Sequence, residues 1–386
     1  MRTDAIKETI ERAVSTHEET GAAAVVTLGG KRVFSCSAGY ADIESGAPFR
    51  TDTICRAFSC TKVATSVACM QLTERGLIDP ADDLARYIPE FAKPYCIRDG
   101  KRIESPPVHI RDLLNMTSGI PYPGDGREGG DKTSELWGKL DRSILDGCSM
   151  TTREFAAEAG KLPLIFPAGS EWMYGASADI LGAVIEIVSD MTLSDYMKKN
   201  IFDPLGMQDT AFYVPPEKRD RLAVLYDGAG EHPKKPDYVN LCIYDCDSDP
   251  AFRSGGAGLF TTAADYSKLG AELSYGTAGI ISRKTASFFK VNGLSPDQRR
   301  TLNWDSTRGF GYGNLMRMVE NRNGAGLLAS EGAFGWDGWT GTYLLCDTDE
   351  ELSVTLFIQR CGAGTTRLSR CLVNAVYAGL DRKGDR

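Results

Sequence analysis

Apolar residues recur along this chain in two rhythms, and the places where one gives way to the other outline the fold. Ile6, Ile10, Ala13 and Val14 stand among charges at helical spacing, so residues 1–18 predict a surface helix. Residues 22–28 and 32–38 are β-prone runs divided by Gly29-Gly30, a hairpin signal because glycine accepts positive φ. Near the other end, residues 342–346 and 352–359 flank the polar turn Asp347-Thr348-Asp349-Glu350, and residues 366–378 read as a closing helix. Between these ends the patterns are mostly helical, as in 178–189 and 193–200, and are interrupted by Gly- and Pro-rich loops around 121–130 and 233–236. The fold class this predicts is α/β (α+β): an antiparallel sheet built from both termini and flanked by helices, plus a mostly helical insertion. Residues 1–75 and 255–386 form the sheet domain, residues 76–254 the helical one, and the cleft between them is the place for an active site. No internal repeat is present, which excludes solenoids.

Composition narrows the function classes. No run approaches the roughly 18 uninterrupted apolar residues of a membrane span, and a net charge of -8 gives a phosphate backbone no general attraction. A soluble protein with neither nucleic acid nor membrane as partner is expected. The first helix lacks the continuous apolar block of an export signal. Eleven cysteines, odd in number and irregularly spaced, form neither a disulfide framework nor a zinc pattern, so a reducing cytoplasm is the simpler account. Cys242 and Cys246 lie close together, but His17, His109 and His232 add no obvious ligands; no metal is expected.

The segment Ala57-Phe58-Ser59-Cys60-Thr61-Lys62-Val63-Ala64 continues through Val67, Ala68, Met70 and Leu72, the pattern of a buried helix beginning near Ser59. Positions three apart share a helix face, so the Ser59 hydroxyl and the Lys62 amine can meet. A lysine desolvated inside such a helix loses pKa and becomes a base, and the helix N-terminus favours an alkoxide on Ser59. Ser-x-x-Lys is short, however, and recurs as Ser287-Phe288-Phe289-Lys290 after Arg283 and Lys284, where the lysine would reach water. On pattern alone, the Ser59 copy stays open between a catalytic pair and an incidental serine.

Further blocks surround it: Leu113-Leu114-Asn115-Met116-Thr117-Ser118-Gly119-Ile120, Phe166-Pro167-Ala168-Gly169, Asp203-Pro204-Leu205-Gly206-Met207 and Ser254-Gly255-Gly256-Ala257-Gly258-Leu259. Together and in this order they resemble the class C β-lactamase-related serine hydrolases. That family includes penicillin-binding proteins, and the likeness is nearest to its family VIII carboxylesterase and acyltransferase branch. The resemblance implies the β-lactamase/transpeptidase-like fold and an acyl-enzyme on Ser59 with Lys62 as base. It places Tyr174 at the tyrosine of the family's Tyr-x-Asn element, with Ala176 where the asparagine would stand and Asp179 closing a Tyr-x-x-Ser-x-Asp form. The literal strings at Tyr238/Asn240 and Tyr312/Asn314 fail on context, Tyr312 reading as a packed aromatic entering a strand. Beside Lys62 a Tyr174 phenolate would be favoured by the positive charge.

No Lys-Thr-Gly tripeptide exists; the equivalent run is Phe334-Gly335-Trp336-Asp337-Gly338-Trp339-Thr340-Gly341-Thr342, with Trp336 in the cation's place. By the same resemblance, Gly338 permits close backbone approach, and the Ser59 and Trp339 N–H groups form an oxyanion hole. Trp336, Trp339, Phe334 and Tyr122 would offer apolar walls to a substrate group, while Arg253 or Arg308 would be needed to restore a carboxylate site. The function implied is a carboxylesterase or acyl transferase on a small-molecule ester or amide, with no cofactor. The alternatives are a β-lactamase, D,D-peptidase or D-aminopeptidase, and, in another class, a non-catalytic sensor module. A Ser-His-Asp triad is disfavoured by scarce histidines, with His109 the one theoretical base.

Overall fold

The structure, a computed structural model, describes residues 1–147 and 150–380; Cys148 lies outside them. Its main sheet has eight strands in the spatial order Ala47–Pro48, Lys31–Asp42, Gly21–Leu28, Leu352–Phe357, Tyr343–Asp347, Phe334–Asp337, Met316–Val319, Phe310–Gly313. The pairing between these strands is antiparallel throughout. The two ends of the chain meet at the centre, where Val25 is opposite Thr355. Gly29 and Gly30, with φ of 54° and 72°, make the first hairpin as expected, and the Asp347 carboxylate accepts from the Asp349 and Glu350 amides to shape the last one. Proline is tolerated at Pro48 because it lies on the sheet's edge strand.

Alternation along Gly21–Leu28 sends side chains into two cores. Ala22, Ala24 and Val26 face the terminal helices Asp4–Ser15 and Arg367–Ala378 through Ile6, Ile10, Leu372 and Val376. Ala23 and Val25 face the opposite way, into a cluster with Val63, Val67 and Leu269 that continues into the helices of the middle of the chain through Leu113, Phe155 and Ile185. The helix Thr61–Glu74, buried at every position from Thr61 to Leu72, is thus a shared wall between sheet and insertion. Its N-terminus, with Ser59 just before it, is thereby held between sheet residues and those helices.

Details differ from the sequence reading, and one is the hairpin of Tyr95–Arg98 with Lys101–Glu104 inside the mostly helical part. The helix expected over 193–200 ends as an α-helix at Leu193–Met197 and widens into a π turn over Lys198–Phe202. Another is the strand Met316–Val319, in which Arg317 is buried.

Candidate active site

The loop that carries Ser59 leaves a short ladder in which Ile54–Arg56 pairs with Phe260–Thr262. Phe58 then takes φ 43°, a left-handed conformation that costs a bulky residue on the order of 1–3 kcal/mol. The surroundings hold it there. The Ala57 amide donates to Leu259 O at 2.8 Å, the Thr342 hydroxyl donates to Ala57 O at 2.7 Å, and Thr340 and Gln359 both donate to Arg56 O. Gly338 closes the contact: a Cβ there would lie 2.3 Å from Ala57 O. A single 3-10 turn, Phe58–Cys60, leads into the helix, so Ser59 and Lys62 fall on one face as the spacing predicted.

Lys62 has no solvent exposure. Its Nζ donates to Gly256 O at 2.8 Å, and contacts Tyr122 OH at 3.0 Å and Ser59 Oγ at 3.2 Å. Burial lowers its pKa from the usual 10.5 to about 7, against the opposing pull of the Asp179 carboxylate. A neutral amine has two N–H donors and one lone pair. With Gly256 O and Tyr122 OH taking the donors, the lone pair is left for the Ser59 proton. Tyr122 in turn donates to Asp179 at 3.4 Å, and Asp179 also accepts from Ser254 Oγ at 2.5 Å and Gly256 N at 3.1 Å. Burial raises the Asp179 carboxyl and pushes the Tyr122 phenol well above 10.

Tyr174 departs from its expected state. The Lys62 amine lies 4.6 Å above the centre of its ring and contacts the face, not the oxygen. Burial raises the phenol's pKa and outweighs the lowering by Ser59 and the Trp336 indole, so Tyr174 is a phenol, not the phenolate that charge proximity suggested. Trp336 is also corrected as an apolar wall. It is 2% exposed, stacks on Tyr174 at 5.4 Å and donates its indole N–H to Tyr174 OH at 3.0 Å. Phe334 is fully buried and packs on Phe289, so it too is no wall. Trp339 remains partly exposed, with its ring 5.0 Å from Phe58. The backbone N–H groups of Ser59 and Trp339 donate to no protein acceptor among the described residues.

Behind Trp336 lies a buried ion pair, Arg317 Nη2 to Asp337 at 2.9 Å, with the guanidinium 5.2 Å above the indole and Thr365 also donating to Asp337. Arg317→Met leaves that carboxylate without this partner. A destabilisation of about 3–5 kcal/mol is expected, read as a shift in the urea midpoint.

Residues 6–370 match the family described as Beta-lactamase. The chain belongs to the beta-lactamase family. Within this family it is similar to Esterase EstB of Burkholderia gladioli, 28% identical over 399 residues that cover 98% of this chain and 95% of that one. It is also similar to Lovastatin esterase of Penicillium rubens, 28% identical over 400 residues, 98% of this chain and 93% of that one. Among solved structures, "EstCE1, a hydrolase with promiscuous acyltransferase activity" matches with a TM-score of 0.81 and 25% identity, covering 97% of this chain and 98% of that one.

Other candidates in this beta-lactamase-family chain have different occupations. Ser287 donates to Lys284 O while Lys290 pairs with Asp349, so the second Ser-x-x-Lys copy does not join. His109 caps the helix Ile110–Leu114 and faces Asp112. Arg253 is tied to Asp249 and Ala251 O, and Arg308 is exposed. Tyr312 is buried and packs edge-on against Trp336, as its context suggested. Sequence reasoning missed the Gly256 carbonyl and the roles of Asp179 and Tyr122 at Lys62, although the Tyr-x-x-Ser-x-Asp string and the Ser254-Gly255-Gly256 block carried the signal.

Proposed function

We propose that this protein is a serine hydrolase that forms an acyl-enzyme on Ser59 and works as a carboxylesterase or acyl transferase on small esters. The observation that carries the reading is the fully buried Lys62 amine, held by Gly256 O and Tyr122 OH within 3.2 Å of Ser59 Oγ. Ser59 Oγ attacks the ester carbonyl as Lys62 takes its proton, and the Ser59 and Trp339 N–H groups stabilise the tetrahedral oxyanion. The Lys62 ammonium returns that proton to the leaving alkoxide, and the Tyr174 phenol, which retains its own, donates a hydrogen bond to the same oxygen. Water or a second alcohol then attacks the acyl-enzyme with Lys62 again as base. Gly338 keeps the Trp339 turn against the nucleophile loop, and Tyr122 links Lys62 to Asp179. The site lies where the sheet unit, 1–75 and 255–386, meets the helical unit, 76–254.

Ester activity is favoured over β-lactam or D-peptide cleavage by Trp336, which stands where the resemblance reserves a cation for a carboxylate and has its N–H engaged by Tyr174. The esterase names of the relatives support the same choice. Short-chain p-nitrophenyl esters should exceed nitrocefin in kcat/KM by about a hundredfold or more, since a charge-assisted bond to the carboxylate is missing. Nitrocefin as the better substrate would reverse the assignment within the family. Among the described residues no helix is long and apolar enough to cross a membrane. Ten described cysteines are free and six of them are buried, which supports a reducing, cytoplasmic setting.

A further inference from the structure

Phe58 contributes to more than the nucleophile's turn. Residues 222–245 cross the surface beside it without a helix or strand, and together they enclose a groove of 680 Å³. Phe58, Ala223, Leu225 and Ile243 supply apolar lining. On the rim, Tyr238 and Val239 stand side by side, 48% and 46% exposed. The rim adjoins residues next to Ser59: the Tyr238 ring lies 6.1 Å from Trp339, and Trp339 lies 5.0 Å from Phe58, the residue before Ser59.

The charges in the groove decide what it can hold. Arg56 is gripped by both oxygens of Asp245 and donates to Ala223 O. Arg219 donates to Val214 O and Asp245 O and pairs with Asp247. Lys235 pairs with Glu44. Each of the three cations lining the groove is therefore already matched, and none is left over for a carboxylate or phosphate. The volume falls in the range of about 300–1,000 Å³ that suits drug-sized ligands and far exceeds the needs of an acetyl group.

We propose that this groove is the subsite for an uncharged, apolar group of the ester, larger than acetyl, that reaches it past Phe58 and Trp339. The group is the acyl chain or the alkoxy portion, and the two are separated by experiment. The inference rests on the acyl-enzyme reading and names the substrate class for it.

The test compares wild type with Val239→Asp, which sets a charge on the rim, and Leu225→Trp, which fills the groove. Val239 is half exposed, so the first variant folds even where the second does not. One ester series varies the acyl chain from p-nitrophenyl acetate to p-nitrophenyl cyclohexanecarboxylate and decanoate; the other varies the alcohol from ethyl to menthyl acetate. Each variant is compared with wild type on the same ester, so leaving-group reactivity cancels. Val239→Asp should lower kcat/KM for the bulky members by about tenfold or more relative to the smallest member of that series. A loss confined to the acyl series assigns the groove to the acyl chain, and one confined to the alcohol series assigns it to the alkoxy group. Equal treatment of small and bulky esters in both series overturns the subsite while leaving Ser59-dependent hydrolysis standing. Failure of wild type to turn over either series overturns both.

Discussion

Ser59→Ala should lower kcat/KM on an activated ester by on the order of 10⁴- to 10⁶-fold, as removal of the nucleophile does in serine hydrolases that work through a positioned base. The size of the loss follows from the absence of a substitute. Ser287, the other serine in a Ser-x-x-Lys string, has its hydroxyl on Lys284 O and its lysine on Asp349. The fold should respond little, because alanine keeps the backbone that places Phe58 and gives up only the hydroxyl's contacts with Lys62 and Tyr174, worth about 1 kcal/mol each. Thermal unfolding alongside the kinetics separates the two effects; a variant that unfolds with wild type and still turns over ester at a tenth of the rate would remove Ser59 from the chemistry.

Lys62→Met carries the second large effect. Deleting a general base costs on the order of 10²- to 10⁴-fold in acylation, and methionine fills most of the lysine's volume in a site with no solvent exposure. The pH dependence gives the loss a signature. The folded-state pKa of Lys62 is lowered to about 7, so the neutral, proton-accepting form grows as pH rises through that value. Wild-type acylation should climb with pH and level off above it, and the climb should vanish in Lys62→Met. A profile of the same shape in the variant would assign the titration to another group.

Much of this arrangement is legible in the sequence because it is local. One helical turn brings Ser59 to Lys62 whatever surrounds it, and Gly29-Gly30 and the Asp347 turn carry their own backbone requirements. The apolar run from Val63 to Leu72 foretold burial, and burial is the largest cause of the lowered amine pKa. What the sequence hid is tertiary. Gly256 O reaches Lys62 across 194 positions and Tyr122 across 60, and no spacing rule connects such distances. The same holds for Trp336, whose missing charge was visible but whose N–H contact with Tyr174 was not. Tyr174 shows how magnitudes decide: proximity to a cation argued for phenolate, but the lysine meets the ring face and desolvation prevails. Arg317 is a related case, since its burial is made tolerable by partners distant in sequence, Asp337 foremost.

The most direct test of a neutral Lys62 acting on Ser59 is single-turnover acylation by an activated ester across about pH 5 to 9, with the adduct mapped by mass spectrometry. One adduct is predicted, on the peptide containing Ser59, forming at a rate that rises through an inflection near pH 7. An adduct on any other residue, or a rate at Ser59 that does not change across that range, would contradict it.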